Sequence, residues 1–128
     1  MSMLSKVEIF VGLGPDEFAE LEGSCVARNY PRNTVVINEN DFADSLYIIE
    51  SGRVKVYCSD KNGKEYIMNT LGPGDYFGEL ALLDDDRRSA SVRTLEKCSF
   101  TIIFKDEFNA VMGRHPNMAQ TLIRNLTR

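Results

Sequence analysis

The pattern of hydrophobic and polar residues divides the chain into a β-rich middle and helical flanks. From about residue 26 to residue 104, short runs of β-branched and aromatic residues are separated by Gly, Asn, Asp and Pro at nearly regular intervals. This pattern is typical of an antiparallel sandwich or barrel. The flanking segments instead repeat apolar residues every three or four positions, which predicts helices. We therefore predict a single, mainly β domain over 1–128, with N-terminal helices at 3–24, a β-roll at 25–104 and C-terminal helices at 105–128.

Six stretches of the middle segment have the composition of strands. They lie at residues 34–37, 45–50, 53–58, 65–71, 90–95 and 99–104. In the third stretch, the alternation predicts that Lys55 and Tyr57 point outwards and Val56 inwards, with the reverse allowed at its ends. The pair Asn62 and Gly63, between the third and fourth stretches, predicts a hairpin turn because both residue types accept positive φ.

The flanks contain four predicted helices. The first covers residues 4–10, and the second begins near Pro15 and ends at Gly23. The third ends at Gly113 and the fourth begins at Pro116. These bounds follow the preference of proline for the first helical turn and of glycine for the end of a helix. The apolar face of the last helix continues to the end of the chain without a capping residue, so we expect this helix to be truncated.

Length, composition and charge fit an ordinary globular domain. The chain has 128 residues, of which 43% are hydrophobic and 27% charged, and this suits one domain with a sizeable core. The net charge of -4 and the lack of a basic run before the C-terminal tail argue against nucleic-acid binding by this segment. No apolar run is long enough to cross a bilayer or to act as a secretory signal. We therefore expect a cytoplasmic location and no membrane contact.

The cysteines and the histidine do not form a disulfide or metal pattern. Cys25, Cys58 and Cys98 are odd in number and widely spaced, so they match neither a disulfide framework nor a zinc motif. We expect them to be small buried thiols in strands. A metal-dependent enzyme on a similar β-roll, such as a cupin-type oxygenase or isomerase, needs two or three histidines. Because His115 is the only one, we expect neither a metal nor enzymatic activity.

The stretch from Gly78 to Ser91 carries the candidate chemistry. Gly78 permits a tight backbone turn, and a short helical turn after it would present the N–H groups of Leu80 and Ala81 to a phosphate oxygen. Arg88 can add a charge-assisted, bidentate contact to the same group. These residue types in this order suit a ligand that carries one negative charge.

Two further polar residues within this stretch are suited to bind a ligand. Glu79 is suited to accept a hydrogen bond from a ribose hydroxyl, and Ser89 adds a hydroxyl and an N–H beside Arg88. One acid and one base would then bind different parts of one nucleotide. A Glu and an Arg nine positions apart also pair with each other in many proteins, so the spacing alone leaves an internal ion pair open.

Two short motifs carry a resemblance to a known family. Residues 77–82 read Phe-Gly-Glu-Leu-Ala-Leu, and residues 88–92 read Arg-Ser-Ala-Ser-Val. Together they resemble the phosphate-binding cassette of cyclic nucleotide-binding domains, found in bacterial regulators of the CRP/FNR type and in cyclic-nucleotide-regulated kinases and channels. The similarity continues at 38–47, 51–56 and 71–79, and the chain is most similar to the sensor domain of CRP/FNR-type transcription regulators. The resemblance implies a double-stranded β-helix, or jelly roll.

The resemblance also implies a role for each candidate site residue. In the family, the residue that matches Glu79 binds the ribose 2′-hydroxyl and the residue that matches Arg88 binds the cyclic phosphate. The other implied ligand-binding positions are, in the cassette, Gly78, Leu80, Ala81, Ser89 and Ala90 and, near the sugar and base, Val56, Met68 and Asn69. For Val56 and Met68, plain core packing remains the alternative.

We therefore expect a regulatory domain that senses a cyclic nucleotide, cAMP before cGMP, and passes the change to the helix that follows. No cofactor other than this ligand is expected. In the full-length protein the resemblance implies a homodimer through the C-terminal helix, and DNA contact only through a domain outside this chain. We expect the acidic residues 84–86 to form a solvated loop that points away from the ligand. The alternative is the same fold binding another effector or none, as a module of a different output protein.

Overall fold

The computed structural model describes residues 7, 10–78, 88 and 90–126. In this part of the chain the helices are α1 (Pro15–Gly23), α2 (Lys105–Arg114) and α3 (Pro116–Leu126). The strands are β1 (Val26–Tyr30), β2 (Val35–Ile37), β3 (Ser45–Ser51), β4 (Val54–Ser59), β5 (Glu65–Leu71), β6 (Tyr76–Phe77), β7 (Ser91–Thr94) and β8 (Cys98–Phe104).

These strands form two four-stranded antiparallel sheets. The strand orders are β1-β8-β3-β6 in one sheet and β2-β7-β4-β5 in the other. Strands that follow each other along the chain often lie in different sheets, so the chain crosses repeatedly between two layers and forms a roll. The prediction of a mainly β fold with flanking helices is confirmed.

Both faces of β3 are buried, which explains why its sequence is apolar without interruption. Leu46 and Ile48 pack on one face, against the helices, whereas Tyr47 and Ile49 pack on the other, between the two sheets. Successive side chains of a strand alternate between its faces, so one strand serves both clusters. The helix-side cluster also contains Leu21, Phe108, Val111, Met118 and Leu122. Each fully buried side chain of this size contributes roughly 1.5–3 kcal/mol.

Glu20 joins α1 to the connection between α2 and α3. Its carboxylate forms an ion pair with Arg114 and a hydrogen bond with the imidazole of His115. The hydrogen bond with His115, followed by that with Arg114, holds the pKa of Glu20 below its ordinary value. The predicted end of α2 at Gly113 is wrong by one residue, because the helix continues to Arg114 before Pro116 opens α3.

The strand predictions are accurate where the sequence is apolar and fail where it is not. All six predicted stretches coincide with strands to within one residue at each end, but β1 and β6 are missed. The strand β1 reads Val-Ala-Arg-Asn-Tyr and lies at the edge of its sheet, mostly exposed, so it has little apolar signal. The strand β6 has only two residues. The first predicted helix lies mostly outside the described residues, within which Val7 and Phe10 are buried.

The outward direction predicted for Tyr57 is confirmed, although the side chain is buried. Lys55 and Arg93 are direct partners in the β4–β7 ladder, so their side chains share a face. Both cations lie over the Tyr57 ring, at 5.3 and 5.0 Å from its centroid. They cover the ring and leave it 4% exposed.

The expectation of buried thiols in strands is right for Cys98 only. Cys98 is buried in β8, whereas Cys58 in β4 is half-buried and Cys25 precedes β1, outside any strand. All three are free. Burial nevertheless raises the pKa of Cys25 to about 12, and burial also raises the pKa of Cys98. Both thiols are therefore poor nucleophiles in the folded protein.

Candidate ligand-binding site

The aromatic packing around β6 fixes the start of the candidate site. Phe77 lies opposite Tyr47 in the β3–β6 ladder, and their rings stack with centroids 5.0 Å apart. Phe100 meets both rings edge-on. Because β3 and β6 are antiparallel, this register places the next residue of the chain, Gly78, beside the beginning of β3, where Ser45 lies.

Gly78 is required at this point by both its backbone and its surroundings. Its φ is +82°, in the region that L side chains rarely adopt. A Cβ atom at this position would lie against Nη1 of Arg88 and 2.9 Å from the carbonyl oxygen of Ser45. The missing side chain therefore leaves the space that the guanidinium occupies.

The backbone of Arg88 is held by the turn before β3. The Arg88 N–H donates to the carbonyl oxygen of Asp41 at 2.7 Å, and the Arg88 carbonyl accepts from the N–H of Asn40 at 2.9 Å. Asn40 has a φ of +73°, a conformation that Asn tolerates better than most residues. The polar turn at 38–41 therefore fixes the position of the Arg88 backbone.

Half of the Arg88 guanidinium is anchored to the protein. Nη2 donates to the carbonyl oxygen of Ser45 at 2.8 Å and to its Oγ at 3.3 Å. The carboxylate of Asp44 lies 3.7 Å from Nη2 and also accepts a hydrogen bond from the Ser45 hydroxyl. These contacts set the plane and direction of the guanidinium.

The other half of the guanidinium has no hydrogen-bond partner among the described residues. Nη1 of Arg88 is buried and forms no hydrogen bond within the described part of the chain. Burial lowers the pKa of Arg88, while the nearby Tyr47 and Asp44 oppose this shift. Arginine remains charged under such conditions, so the site holds a buried cation with one donor that no described residue pairs. Leaving such a donor unpaired costs free energy, and an anion at this position would remove that cost.

The structure brings Gly78 and Arg88 together, as the cassette motif predicts. Ala90 is buried just before β7. The other predicted cassette residues, Glu79, Leu80, Ala81 and Ser89, lie outside the described residues, as do the acidic residues 84–86.

The three residues predicted near the sugar and base lie together on β4 and β5. Val56 and Asn69 are direct partners in the β4–β5 ladder, next to a bulge. Val56 also packs against the cluster between the sheets, so core packing explains part of its environment. The side chain of Met68 is 62% exposed, so core packing does not explain it. The thiol of Cys58 donates a hydrogen bond to the Sδ of Met68 at 3.3 Å.

The sequence patterns miss the residues that hold the arginine. Asp44 and Ser45 lie just before and at the start of a strongly apolar strand, where a Ser with no exposed surface is unusual. The complete burial of Ser45 singles it out, but burial is visible only in the structure. The distance of 43 residues between Ser45 and Arg88 prevents any local pattern from pairing them.

The described residues contain neither a cluster of metal ligands nor a membrane-spanning helix. None of them form a group of three or more His, Cys, Asp or Glu side chains that is able to hold a metal ion. None of the helices in that same part of the chain is long and apolar enough to cross a membrane.

Comparison with known proteins identifies the class to which this fold and site belong. A family model described as the cyclic nucleotide-binding domain matches residues 27–115. The matched region contains the two sheets almost entirely, together with Gly78 and Arg88. The chain belongs to the cyclic nucleotide-binding domain family, and the predicted jelly-roll fold is confirmed.

A bacterial receptor protein and a regulatory subunit of a protein kinase are among the relatives that the chain matches. The cyclic AMP receptor protein of Thermus thermophilus is 32% identical over 120 residues, which are 94% of this chain and 56% of that protein. A cAMP-dependent protein kinase regulatory subunit of Aspergillus niger is 35% identical over 112 residues, covering 88% of this chain and 26% of that protein. The chain thus spans about half the length of the bacterial relative.

A solved structure matches the whole fold. The N-terminal domain of a transcriptional regulator from Streptomyces coelicolor A3(2) superposes with a TM-score of 0.90 at 26% identity, covering 99% of this chain and 89% of that one. The Thermus thermophilus catabolite activator protein superposes with a TM-score of 0.80 at 32% identity, over 95% of this chain and 57% of that one. The domain is therefore similar to the sensor domains of CRP-like transcription regulators.

Proposed function

We propose that this domain is a non-enzymatic sensor whose ligand is a cyclic nucleotide, cAMP before cGMP, bound through its phosphate to Arg88. The observation that carries the proposal is the buried Nη1 of Arg88, which has no hydrogen-bond partner in the described part of the chain. Nη2 is anchored to Ser45, so the guanidinium is already oriented before a ligand arrives. The preference for cAMP is supported by the relative from Thermus thermophilus that is named a cyclic AMP receptor protein.

The cyclic phosphate supplies an acceptor and a negative charge, which no described residue offers to Nη1. A hydrogen bond to a charged group is worth roughly 1.5–3 kcal/mol. A guanidinium that uses two N–H donors at once also fixes the orientation of the groups that it binds. In this proposal the backbone groups of Leu80, Ala81 and Ser89 complete the phosphate cradle. The carboxylate of Glu79 accepts the ribose 2′-hydroxyl.

The sugar and base extend along β4 and β5 in the same proposal. The exposed thioether of Met68 offers a polarizable apolar contact for the base. Asn69, opposite Val56 in the ladder, offers an amide. Since Met68 is exposed in the protein without ligand, burial of its side chain is part of the binding free energy.

The output of the sensor lies in the helices. Ligand binding favours one arrangement of the cassette and the following helices over another, which is a population shift. We propose that the complete protein is a cytoplasmic transcription regulator that dimerises through its C-terminal helix and contacts DNA through a further domain. The similarity to CRP-like proteins, of which the chain covers 56%, supports this proposal.

Calorimetric titration tests the binding proposal directly. We expect cAMP to bind with one site per chain and cGMP to bind more weakly, while Arg88→Lys loses most of the affinity. Lysine keeps the charge but lacks the fork that contacts Ser45 and a phosphate together. The exposed Arg53 provides the matched control, since Arg53→Lys should bind like the unmodified protein. No heat with either nucleotide, from a sample shown to be folded, would refute the proposal and favour another effector or none.

A further inference from the structure

A cationic cleft lies on the outer face of the β2-β7-β4-β5 sheet, and the proposed nucleotide site does not use it. Its volume is about 510 Å³. The residues that line it, and that define the cationic cleft, are Arg32, Asn33, Lys55, Arg93, Thr94 and Leu95. The neighbours of Lys55 and Arg93 along their strands, Val54 and Val92, pack between the sheets. Since side chains alternate along a strand, the cleft opens on the side away from that core.

The cleft has more positive than negative charge. Lys55 and Arg93 share a single acid, Glu65, at 3.0 and 3.2 Å. Arg32, which is exposed, forms no ion pair in the described part of the chain. Three cations therefore face one carboxylate, on a chain whose net charge is -4. A local charge opposite to that of the whole molecule attracts anionic partners to this face and away from the rest of the surface.

Two of the cations are held in place before any partner arrives. The ring of Tyr57 lies under both Lys55 and Arg93, and Glu65 ties them together from the side. Cation–π contacts and the shared carboxylate restrict the rotamers of both long side chains. Side chains that are already ordered lose less entropy on binding, which favours recognition.

The third cation is carried by a turn that is fixed to β7. The hydroxyl of Thr94 donates to the carbonyl oxygen of Pro31 at 2.7 Å and accepts from the N–H of Thr34 at 2.8 Å. The N–H of Asn33 donates to the carbonyl oxygen of Thr94 at 3.0 Å. The residue between these contacts, Arg32, therefore extends from a rigid backbone.

Exposed apolar residues surround the cations. Val35 is the ladder partner of Arg93 and is 37% exposed, and Leu95 in the cleft is 41% exposed. Ile67, the ladder partner of Tyr57, is 64% exposed. A mixture of arginine and apolar side chains on an open sheet face is typical of protein interfaces, whereas small anions need a more enclosed cradle.

We propose that the cationic cleft docks an acidic segment of a protein partner. Carboxylates of the segment meet Arg32, Lys55 and Arg93, and its apolar residues cover Leu95 and Val35. The cleft and the Gly78–Arg88 site use different residues, so docking and nucleotide binding are separate events on this domain.

The test uses a fluorescent peptide in which pairs of glutamates alternate with single leucines, followed by anisotropy. We expect saturable binding that weakens as salt is added, because exposed charges are screened. Arg32→Glu should weaken binding by roughly tenfold or more, as expected when one attractive charge becomes repulsive. Lys61→Glu, in the β4–β5 turn, changes the net charge by the same amount outside the cleft and should leave binding unchanged. Saturating cAMP should not displace the peptide.

Three results would overturn the proposal. The first is the absence of saturable binding by the folded protein. The second is an equal loss of peptide affinity in Arg32→Glu and Lys61→Glu, which would mean that binding depends only on the net charge of the protein. The third is tighter, competing binding of inorganic tripolyphosphate at the same residues, which would identify a small-anion site instead. Binding of cAMP to each variant is measured in a separate titration. Failure of the docking proposal is therefore distinguishable from failure of the nucleotide proposal.

Discussion

Replacing Gly78 by alanine perturbs the candidate site directly beside the Arg88 guanidinium. The new methyl group would lie against Nη1 of Arg88 and 2.9 Å from the Ser45 carbonyl oxygen. The carbonyl belongs to the backbone of β3 and cannot move far, so the guanidinium must. We predict that Gly78→Ala destabilises the fold moderately and weakens nucleotide binding strongly.

The magnitude follows from two separate costs. A positive φ costs a residue with a side chain roughly 1–2 kcal/mol. Displacing Arg88 from Ser45 removes a charge-assisted hydrogen bond worth roughly 1.5–3 kcal/mol. The expected loss in the free energy of unfolding is therefore roughly 2.5–5 kcal/mol. Loss of one phosphate contact of the same strength raises the Kd of cAMP roughly 10- to 150-fold.

Gly63 provides a control with nearly the same φ angle and no steric clash at the Cβ position. Its φ is +83°, close to the +82° of Gly78, and a Cβ atom there would meet nothing within 4 Å. We predict that Gly63→Ala costs only the backbone term, roughly 1–2 kcal/mol, and leaves cAMP affinity unchanged. Urea unfolding gives the two stabilities, and calorimetric titration gives the two affinities. Equal affinities in Gly78→Ala and Gly63→Ala would refute the claim that this glycine makes room for a ligand-binding arginine.

Three further predictions concern other parts of the molecule. Gly52→Ala should destabilise the fold more than Gly63→Ala, because its φ is +90° and its Cβ would lie 2.5 Å from Sγ of Cys98; equal melting temperatures would contradict this. The lowered pKa of Glu20 means that its pairing with His115 stabilises the fold above the ordinary carboxyl pKa and is lost as pH falls through the lower folded value. Glu20→Gln should therefore reduce stability more at neutral pH than in acid below the folded pKa of Glu20, where the carboxyl group is protonated in both states, and a loss that does not shrink as the pH falls would refute it. Cys25 and Cys98 should resist iodoacetamide near neutral pH in the folded protein and react once it is unfolded, because burial raises both pKa values; peptide mapping that finds both modified in the folded state would contradict this.

The fold could be predicted largely because its signals are local. The alternation in β4 and the hairpin turn at Asn62 and Gly63 specify strand, face and turn within a few residues. The strand β1 is missed for the same reason, since its exposed sequence has no such signal. The burial of Tyr57 also escapes prediction, because Arg93 covers it from another strand.

The candidate site could be predicted only in part. The cassette motif singles out Gly78 and Arg88, and the structure places them in contact. The motif does not reveal that Asp44 and Ser45 hold one half of the guanidinium, because these residues precede Arg88 by more than forty positions. Contacts of this kind are set by how strands meet across the sheets, which no single stretch of sequence encodes. The roles of the predicted residues toward a nucleotide stay predictions until a complex is measured.

The most direct test of the central claim is a crystal structure of this domain with cAMP. The account predicts that Nη1 of Arg88, which has no partner among the described residues, donates to an oxygen of the cyclic phosphate at about 2.7–2.9 Å. Nη2 should keep its hydrogen bond to the Ser45 carbonyl. A phosphate bound elsewhere, with Nη1 paired to a protein carbonyl or carboxylate, would contradict the account.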